Sequence, residues 1–329
     1  MVVVWPFDIP LLFRDGRAQH LTGLCLLKDI CRGHLDGGQV GSKEITFYPD
    51  VVRSGDYMAD AKTAGSVCLV IQLVLPCALF GDGPISLRLL GGTDAAMAPP
   101  IDFFKLVFEP VASKFGVHFD CQLKRRGFYP KGGGEVSLTI NPIKSLEPVI
   151  LLERGNVLRV TGCAYVAGVL PFKVARIMAQ AARETIQHSY RQLPVNIEAI
   201  KEEQHRAMAT GSGILIIAET STGCFLSGSA IGSRGVPAEE VGAKAGQMLV
   251  DNLNHGGCVD DYLQDQLVIL MALAKGTSKV KCGPITLHTE TALQVAKTLT
   301  KMEYKITEVS KMEHILEIVG IGLDNKTLS

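Results

Sequence analysis

The chain has 329 residues, room for two or three domains at about 100–200 residues each. With 47% apolar and 20% charged residues, it can bury a sizeable core, which excludes disorder and low complexity. Its 33 basic residues balance 33 acidic ones, so no global field recruits nucleic acid or an anionic membrane, and any polyanion site is a local cleft. Nine cysteines are scattered between Cys25 and Cys282 without a CxxC pair. They fit reduced core thiols of a cytosolic or nuclear protein rather than a disulfide framework or zinc ligands.

The start, Met1–Phe7, is apolar but lacks a basic region and meets Asp8 at once, which argues against a signal peptide. Ala18–Cys31 has a helical pattern, and Glu44–Tyr48 with Tyr57–Ala59 supply two closing strands of a first unit. Such a unit would open with a strand and a helix. Only Met1–Gly16 precede it, so the first repeat begins in its middle. Val2-Val3-Val4-Trp5 suits a substitute strand, which Pro6 would end. Ser66–Phe80 is an apolar helical run. Within it Val67–Phe80 is broken by Gln72 and Pro76 and falls short of the roughly 18 residues of a membrane span. Ile85–Leu90 alternates as a strand, and Pro99-Pro100 opens a helix predicted over Ile101–Phe115. Strands at Val117–Lys124 and Glu135–Ile140 flank Arg126-Gly-Phe-Tyr-Pro-Lys-Gly-Gly-Gly134.

The order helix, strand, helix, strand, strand then recurs: Asp261–Lys275, a strand near Val280, Thr291–Met302, Lys305–Val309 and His314–Val319. The predicted class is α+β, built of repeated split β-α-β units with helix pairs on four-stranded sheets. Between the repeats lies a block of different order. Asn156–Val166 is a strand, Phe172–Gln187 a helix, Val195–Ala199 and Gly213–Thr220 strands, and Pro237–Leu253 a helix. The division is therefore a large domain, 1–152 with 249–329, and an inserted small α/β domain, 153–248.

Three segments carry chemistry. His288, in Thr286-Leu-His-Thr289, falls near a helix start with Thr289 as a candidate N-cap. An imidazole there suits attack on a phosphate held at the positive helix end; a hydrogen-bonded histidine at a helix start is the bland alternative. In Val259-Asp-Asp-Tyr-Leu-Gln-Asp-Gln-Leu267, Tyr262, Asp265 and Gln266 share one helix face, while Leu263, Leu267, Leu270 and Ala274 mark an apolar seam. A nucleotide pocket or a metal-binding acid stands there against an acidic first turn that merely complements the helix dipole. Gly132-Gly133-Gly134 could offer N–H groups to a phosphate or form a tight hairpin. The basic cluster Lys124, Arg125, Arg126 and Lys131 suits a nucleic-acid backbone or a solvated strand edge. Gln72 is an isolated amide in an apolar helix.

Together these segments resemble the RNA 3'-terminal phosphate cyclase family. The resemblance rests on Arg126–Gly134, on His255-Gly-Gly-Cys-Val-Asp-Asp-Tyr-Leu-Gln-Asp-Gln-Leu267 through Met271–Ala274, and on Thr286–Thr289. Lys62–Ser66, Gly91-Gly-Thr93 with Ala98-Pro99, and Ala218–Gly223 support it. It runs over roughly residues 17–322 and looks closest to the animal enzymes. It implies ATP-dependent conversion of an RNA 3'-phosphate to a 2',3'-cyclic phosphate through a histidine–AMP intermediate, with Mg²⁺ neutralising the triphosphate. It makes His288 the nucleophile, assigns ATP contacts to Gln72, Pro99, Tyr262, Asp265 and Gln266, and sets Gln19 and His20 beside the RNA substrate. The metal ligands and the oligomeric state stay open. The same likeness implies a nuclear location, with the cytoplasm as a further one, and the missing span and balanced charge imply no membrane association. The family's Glu-Gly-Gly-Gly-Gln start is absent, and similarity fades upstream of Arg17. A catalytically impaired isoform or a cyclase-like RNA- or protein-binding scaffold is the competing class; retention of His288 separates the two.

Overall fold

The computed structural model describes residues 18–42 and 44–328 and forms two compact units. One contains the described residues up to Ala98, Val117–Lys144 and those from Asp324; the other contains Pro99–Gly116 and Ser145–Leu323. The expectations for Met1–Gly16, including the substitute strand, fall outside the described residues.

The first unit begins with α1 (Ala18–Ile30), followed by β1 (His34–Asp36), β2 (Thr46–Tyr48), β3 (Gly55–Asp60), α2 (Val67–Ala78), β4 (Ile85–Gly91), β5 (Phe119–Arg125) and β6 (Gly134–Ile140). Its four-stranded sheet has the order β3-β4-β6-β5, with β3 parallel to β4 and the other pairs antiparallel. A parallel pair needs a crossover, and α2 supplies it. Alternation built these strands: Ile85, Leu87 and Leu89 of β4 and Val136, Leu138 and Ile140 of β6 are all buried. The roles of two short segments differ from expectation. Residues 55–60 do not close a first repeat; they open the next one, parallel to β4. Residues 46–48 pair instead with β1 in a separate two-stranded ribbon.

The second unit starts with residues 101–115, where the sequence predicts one regular helix. Instead α3 (Ile101–Phe103) runs into a π turn at Phe104–Phe108, then α4 (Glu109–Ala112) and a 3₁₀ turn at Ser113–Phe115. Pro110 has no N–H to give the preceding turn, and the ladder shifts by one residue there, Glu109 N–H donating to Phe104 O. Next come β7 (Ile150–Leu151), β8 (Val157–Ala167), α5 (Phe172–Ser189), β9 (Val195–Lys201), β10 (Gly211–Thr220), β11 (Phe225–Ile231), α6 (Ala238–Asn254), α7 (Asp261–Leu273), β12 (Lys275–Cys282), α8 (Leu287–Thr300), β13 (Glu303–Ser310) and β14 (Glu313–Ile321).

Two sheets organise this unit. One, β13-β14-β12-β7, has β7 parallel to β12, the same strand order as the sheet of the first unit. The split β-α-β repeat is therefore real, and the intervening block enters between the first strand of a repeat, β7, and its first helix, α7. The block forms the sheet β11-β10-β8-β9 with its own core, in which Ile214, Ile216 and Leu226 meet Ala175, Met178, Ala182 and Leu249 of α5 and α6. Strand β11 goes beyond the predicted pattern. Its centre, Leu-Ser-Gly-Ser-Ala, gives no apolar alternation, because α6 lies too close for a larger residue. A Cβ on Gly228 would stand 2.2 Å from Ala245 O.

Candidate active site

Helices α7 and α8 pack together and carry most of the candidate residues. Asp260 is the N-cap of α7: its carboxylate accepts from Leu263 N–H at 2.8 Å and from both Ser227 N–H (2.9 Å) and Ser227 Oγ–H (2.6 Å). Burial raises its pKa to about 6, against the pull of those hydrogen bonds. The Leu263, Leu267, Leu270 and Ala274 seam is fully buried, which turns Tyr262 and Asp265 to the other side. There the Tyr262 ring meets Phe103 of α3 edge-on, centroids 5.6 Å apart. Pro99, two residues before α3, is buried in the same unit.

The start of α8 lies earlier than the sequence predicts. Its N-cap is Thr286, not Thr289: Thr286 Oγ1 accepts from Thr289 N–H at 3.1 Å. His288 is thus inside the first turn, where the positive end of the helix dipole acts. Its side chain is 88% exposed, and its Nδ1 lies 4.0 Å from Asp265 Oδ2. Burial raises the Asp265 pKa and the neighbouring His288 lowers it. Gln266, next along α7, has a buried Oε1 without a hydrogen-bond partner among the described residues. A buried acceptor in that state asks for a donor from outside the chain.

Sequence reasoning passed over Gln264, which is 3% exposed. Its Oε1 accepts from Thr286 N–H (3.0 Å) and Thr289 Oγ1–H (2.6 Å), and its Nε2–H donates to Pro284 O (3.2 Å). The signal was available, since Gln264 shares the helical face of the buried Leu267, Val268 and Met271.

The remaining candidates belong to the first unit. Gln19 and His20 lie on α1, which packs on α2, and His20 is exposed. Gln72 on α2 is half-buried. The basic cluster is largely committed within the unit. Arg126 is 5% exposed and lies 3.6 Å from the buried Asp94, while Arg125 donates to Gly133 O (2.9 Å) and approaches Glu135. Gly132 and Gly133 have φ of 64° and 69°, the conformation of a tight turn. A Cβ on Gly132 would meet Thr63 O at 2.1 Å.

Comparison with known proteins decides the family. The model of the RNA 3'-terminal phosphate cyclase family matches residues 17–306. The chain belongs to the RNA 3'-terminal phosphate cyclase family. A relative from Drosophila melanogaster, named RNA 3'-terminal phosphate cyclase, is 36% identical over 310 residues, covering 94% of this chain and 86% of its own. One from Dictyostelium discoideum, named probable RNA 3'-terminal phosphate cyclase, is 38% identical over 298 residues, 89% of this chain and 68% of its own. A cyclase from Pyrococcus furiosus is 37% identical over 282 residues, 85% of this chain and 80% of its own. The span matched by the cyclase family contains every candidate from Gln19 to His288.

Proposed function

We propose that this chain converts an RNA 3'-phosphate end to a 2',3'-cyclic phosphate at the expense of ATP, with His288 as the nucleophile. The observation that carries the reading is an exposed imidazole in the first turn of α8, with Asp265 at 4.0 Å from its Nδ1. Asp265 favours the proton on Nδ1, which leaves the Nε2 lone pair for attack. Nε2 bonds to the α-phosphorus of ATP, the bridging P–O bond breaks, and its electron pair leaves with pyrophosphate. The adenylated ring keeps its Nδ1 proton, and its positive charge faces the Asp265 carboxylate. An oxygen of the RNA 3'-phosphate then takes the adenylyl group, and the N–P electron pair returns to His288. The RNA 2'-OH finally attacks the activated 3'-phosphorus, the P–O bond to AMP breaks and its electron pair leaves with AMP, and the hydroxyl proton passes to solvent.

The residues fit a nucleotide. Gln266 offers a buried acceptor to an amino or hydroxyl group, and Tyr262 presents an aromatic ring braced by Phe103. We assign Gln72 and Pro99 to the same ligand, and Gln19 and His20 to the RNA side, on family likeness. Among the described residues no three His, Cys, Asp or Glu side chains converge as a metal site. Mg²⁺ carried on a triphosphate needs only one or two protein carboxylates, and phosphate oxygens and water would supply the rest of its shell. Bound in that way, the ion would neutralise phosphate charge.

The test is incubation with α-labelled ATP and Mg²⁺. Protein-bound label that is lost in acid and kept in alkali, present in the natural chain and absent from a folded His288→Ala variant, is the expected result. Cyclisation of an RNA 3'-phosphate at an undiminished rate by His288→Ala would remove the assignment.

A further inference from the structure

We propose that Gln264 is a positioning residue whose side-chain amide clamps the first turn of α8 and so sets His288 against Asp265. The inference rests on the reading of His288 as the nucleophile and adds the device that holds it in place.

Three contacts define the clamp. Oε1 accepts from the backbone of the N-cap, Thr286, and from the hydroxyl of Thr289, while Nε2–H donates to Pro284 O. The two threonine hydroxyls lie 3.0 Å apart, so a single amide oxygen anchors the whole N-cap arrangement. His288 lies between Thr286 and Thr289 in the chain. Its own side chain is exposed and packs too little to fix the turn. Asp265 directly follows Gln264 on α7. The clamp and the carboxylate that faces the imidazole therefore move as one body. An amide supplies this pattern, one donor and a doubly accepting oxygen at a fixed separation, at any pH, whereas a carboxyl supplies it only when protonated. Deep burial prevents water from replacing any of the three bonds.

Two variants test the proposal in the full-length chain. Gln264→Met keeps the volume and removes every bond. Its single-turnover labelling by α-labelled ATP is expected to slow about a hundredfold, the scale of a misplacement near 1 Å. Its KM for ATP should stay within about threefold, and the Thr286 and Thr289 amides should exchange with solvent faster. Gln264→Glu separates positioning from simple support. Ionised, the new carboxyl accepts both bonds but cannot donate to Pro284 O; protonated, it restores all three. Burial favours the protonated form. The titratable groups on the elements packed around it are Asp260, Asp261, Tyr262 and Asp265 at α7, Lys275, Lys279, Lys281 and Cys282 of β12, His288, Glu290 and Lys297 of α8, and Glu313, His314 and Glu317 of β14. The Gln264 amide reaches Cys282, whose thiol burial pushes up to about 12. The labelling rate of this variant relative to the natural chain should therefore rise as pH falls.

Natural-rate labelling by Gln264→Met overturns the proposal, as does a flat pH ratio for Gln264→Glu. If Gln264→Met does not fold, the Gln264→Glu ratio decides. A natural chain that takes no label at all removes the nucleotide-transfer reading instead. The clamp is then judged by exchange alone: faster exchange at Thr286 and Thr289 in either variant supports it, and unchanged exchange overturns it.

Discussion

Gln266 sets stability against function within a single side chain. Its buried Oε1 lacks a partner in the described structure, and an unsatisfied buried acceptor costs about 1–3 kcal/mol. Gln266→Met should therefore raise the thermal midpoint while weakening ATP use. A variant that is both less stable and fully able to use ATP would show that the amide serves packing. A second prediction concerns two buried groups near α7 whose titrations oppose each other. His255 is 4% exposed; it accepts from Gly257 N–H at 2.9 Å and lies 3.3 Å from Asn252 Oδ1. Burial, then the Arg154 guanidinium, lowers its pKa from 6.5 to about 4. A lowered histidine contributes stability above its ordinary value and loses it as pH falls from about 6.5 to 4. Asp260 has the opposite sign: raised to about 6 by burial, it contributes most below its ordinary value and less as pH rises to 6. Each displacement corresponds to a few kcal/mol at about 1.4 kcal/mol per unit, and the two act against each other between pH 4 and 6 in the natural chain. His255→Gln removes one of them. The stability advantage of the natural chain over this variant should shrink by up to about 3 kcal/mol between pH 6.5 and 4, read from denaturant midpoints. A gap independent of pH would reject the assignment.

At the scale of elements, the ends of helices and the small strands carry the information that local pattern lacks. Thr286→Val should remove the N-cap of α8 and cost about 1 kcal/mol, with a slower labelling step; an unaltered midpoint would place the cap elsewhere. Gly228→Ala sets a methyl against Ala245 O at a separation no side chain tolerates. It should destabilise the chain by about 1–3 kcal/mol as β11 and α6 move apart, and an unchanged thermal midpoint would contradict that approach. These two cases also show where the sequence stops being informative. Period-two alternation made β4 and β6 legible, and the buried seam of α7 followed from residues 263, 267, 270 and 274. The family motifs named His288, Asp265 and Gln266 as candidates, and α7 and α8 bring the first two within 4.0 Å of each other. Strand β11 was illegible because its Ser and Gly residues answer to the close approach of α6, which follows it in the chain and packs on it. The start of α8 was misread because the residue that fixes it, Gln264, lies on another helix. Residues 55–60 look like any short strand, and only parallel pairing with β4 shows which repeat they open. The break in the 101–115 helix had a visible cause in Pro110, though the π turn that bridges it did not.

At the scale of the whole molecule, the block between β7 and α7 resembles a removable passenger, with its own sheet and core. The Asp260 carboxylate contradicts that impression. Two of its hydrogen bonds come from Ser227 of β11, and Asn252 of α6 links Ser227 O to the backbone of Asp261. The inserted strand thus holds in place the N-cap residue of the helix that bears Tyr262, Asp265 and Gln266. Modularity of the gene and modularity of the energy are different properties here. A chain spliced directly from Leu151 to Asp261 would lose Asp260, the cap of α7, and should fail to refold, however short the gap it closes. In calorimetry the inserted sheet and the C-terminal repeat should melt in one transition, and Ser227→Ala should shift that transition as a whole by the equivalent of about 1–3 kcal/mol. Two separable melting events, with only one of them responsive to Ser227→Ala, would mean that the insertion is a tenant rather than a structural partner of the helix it touches.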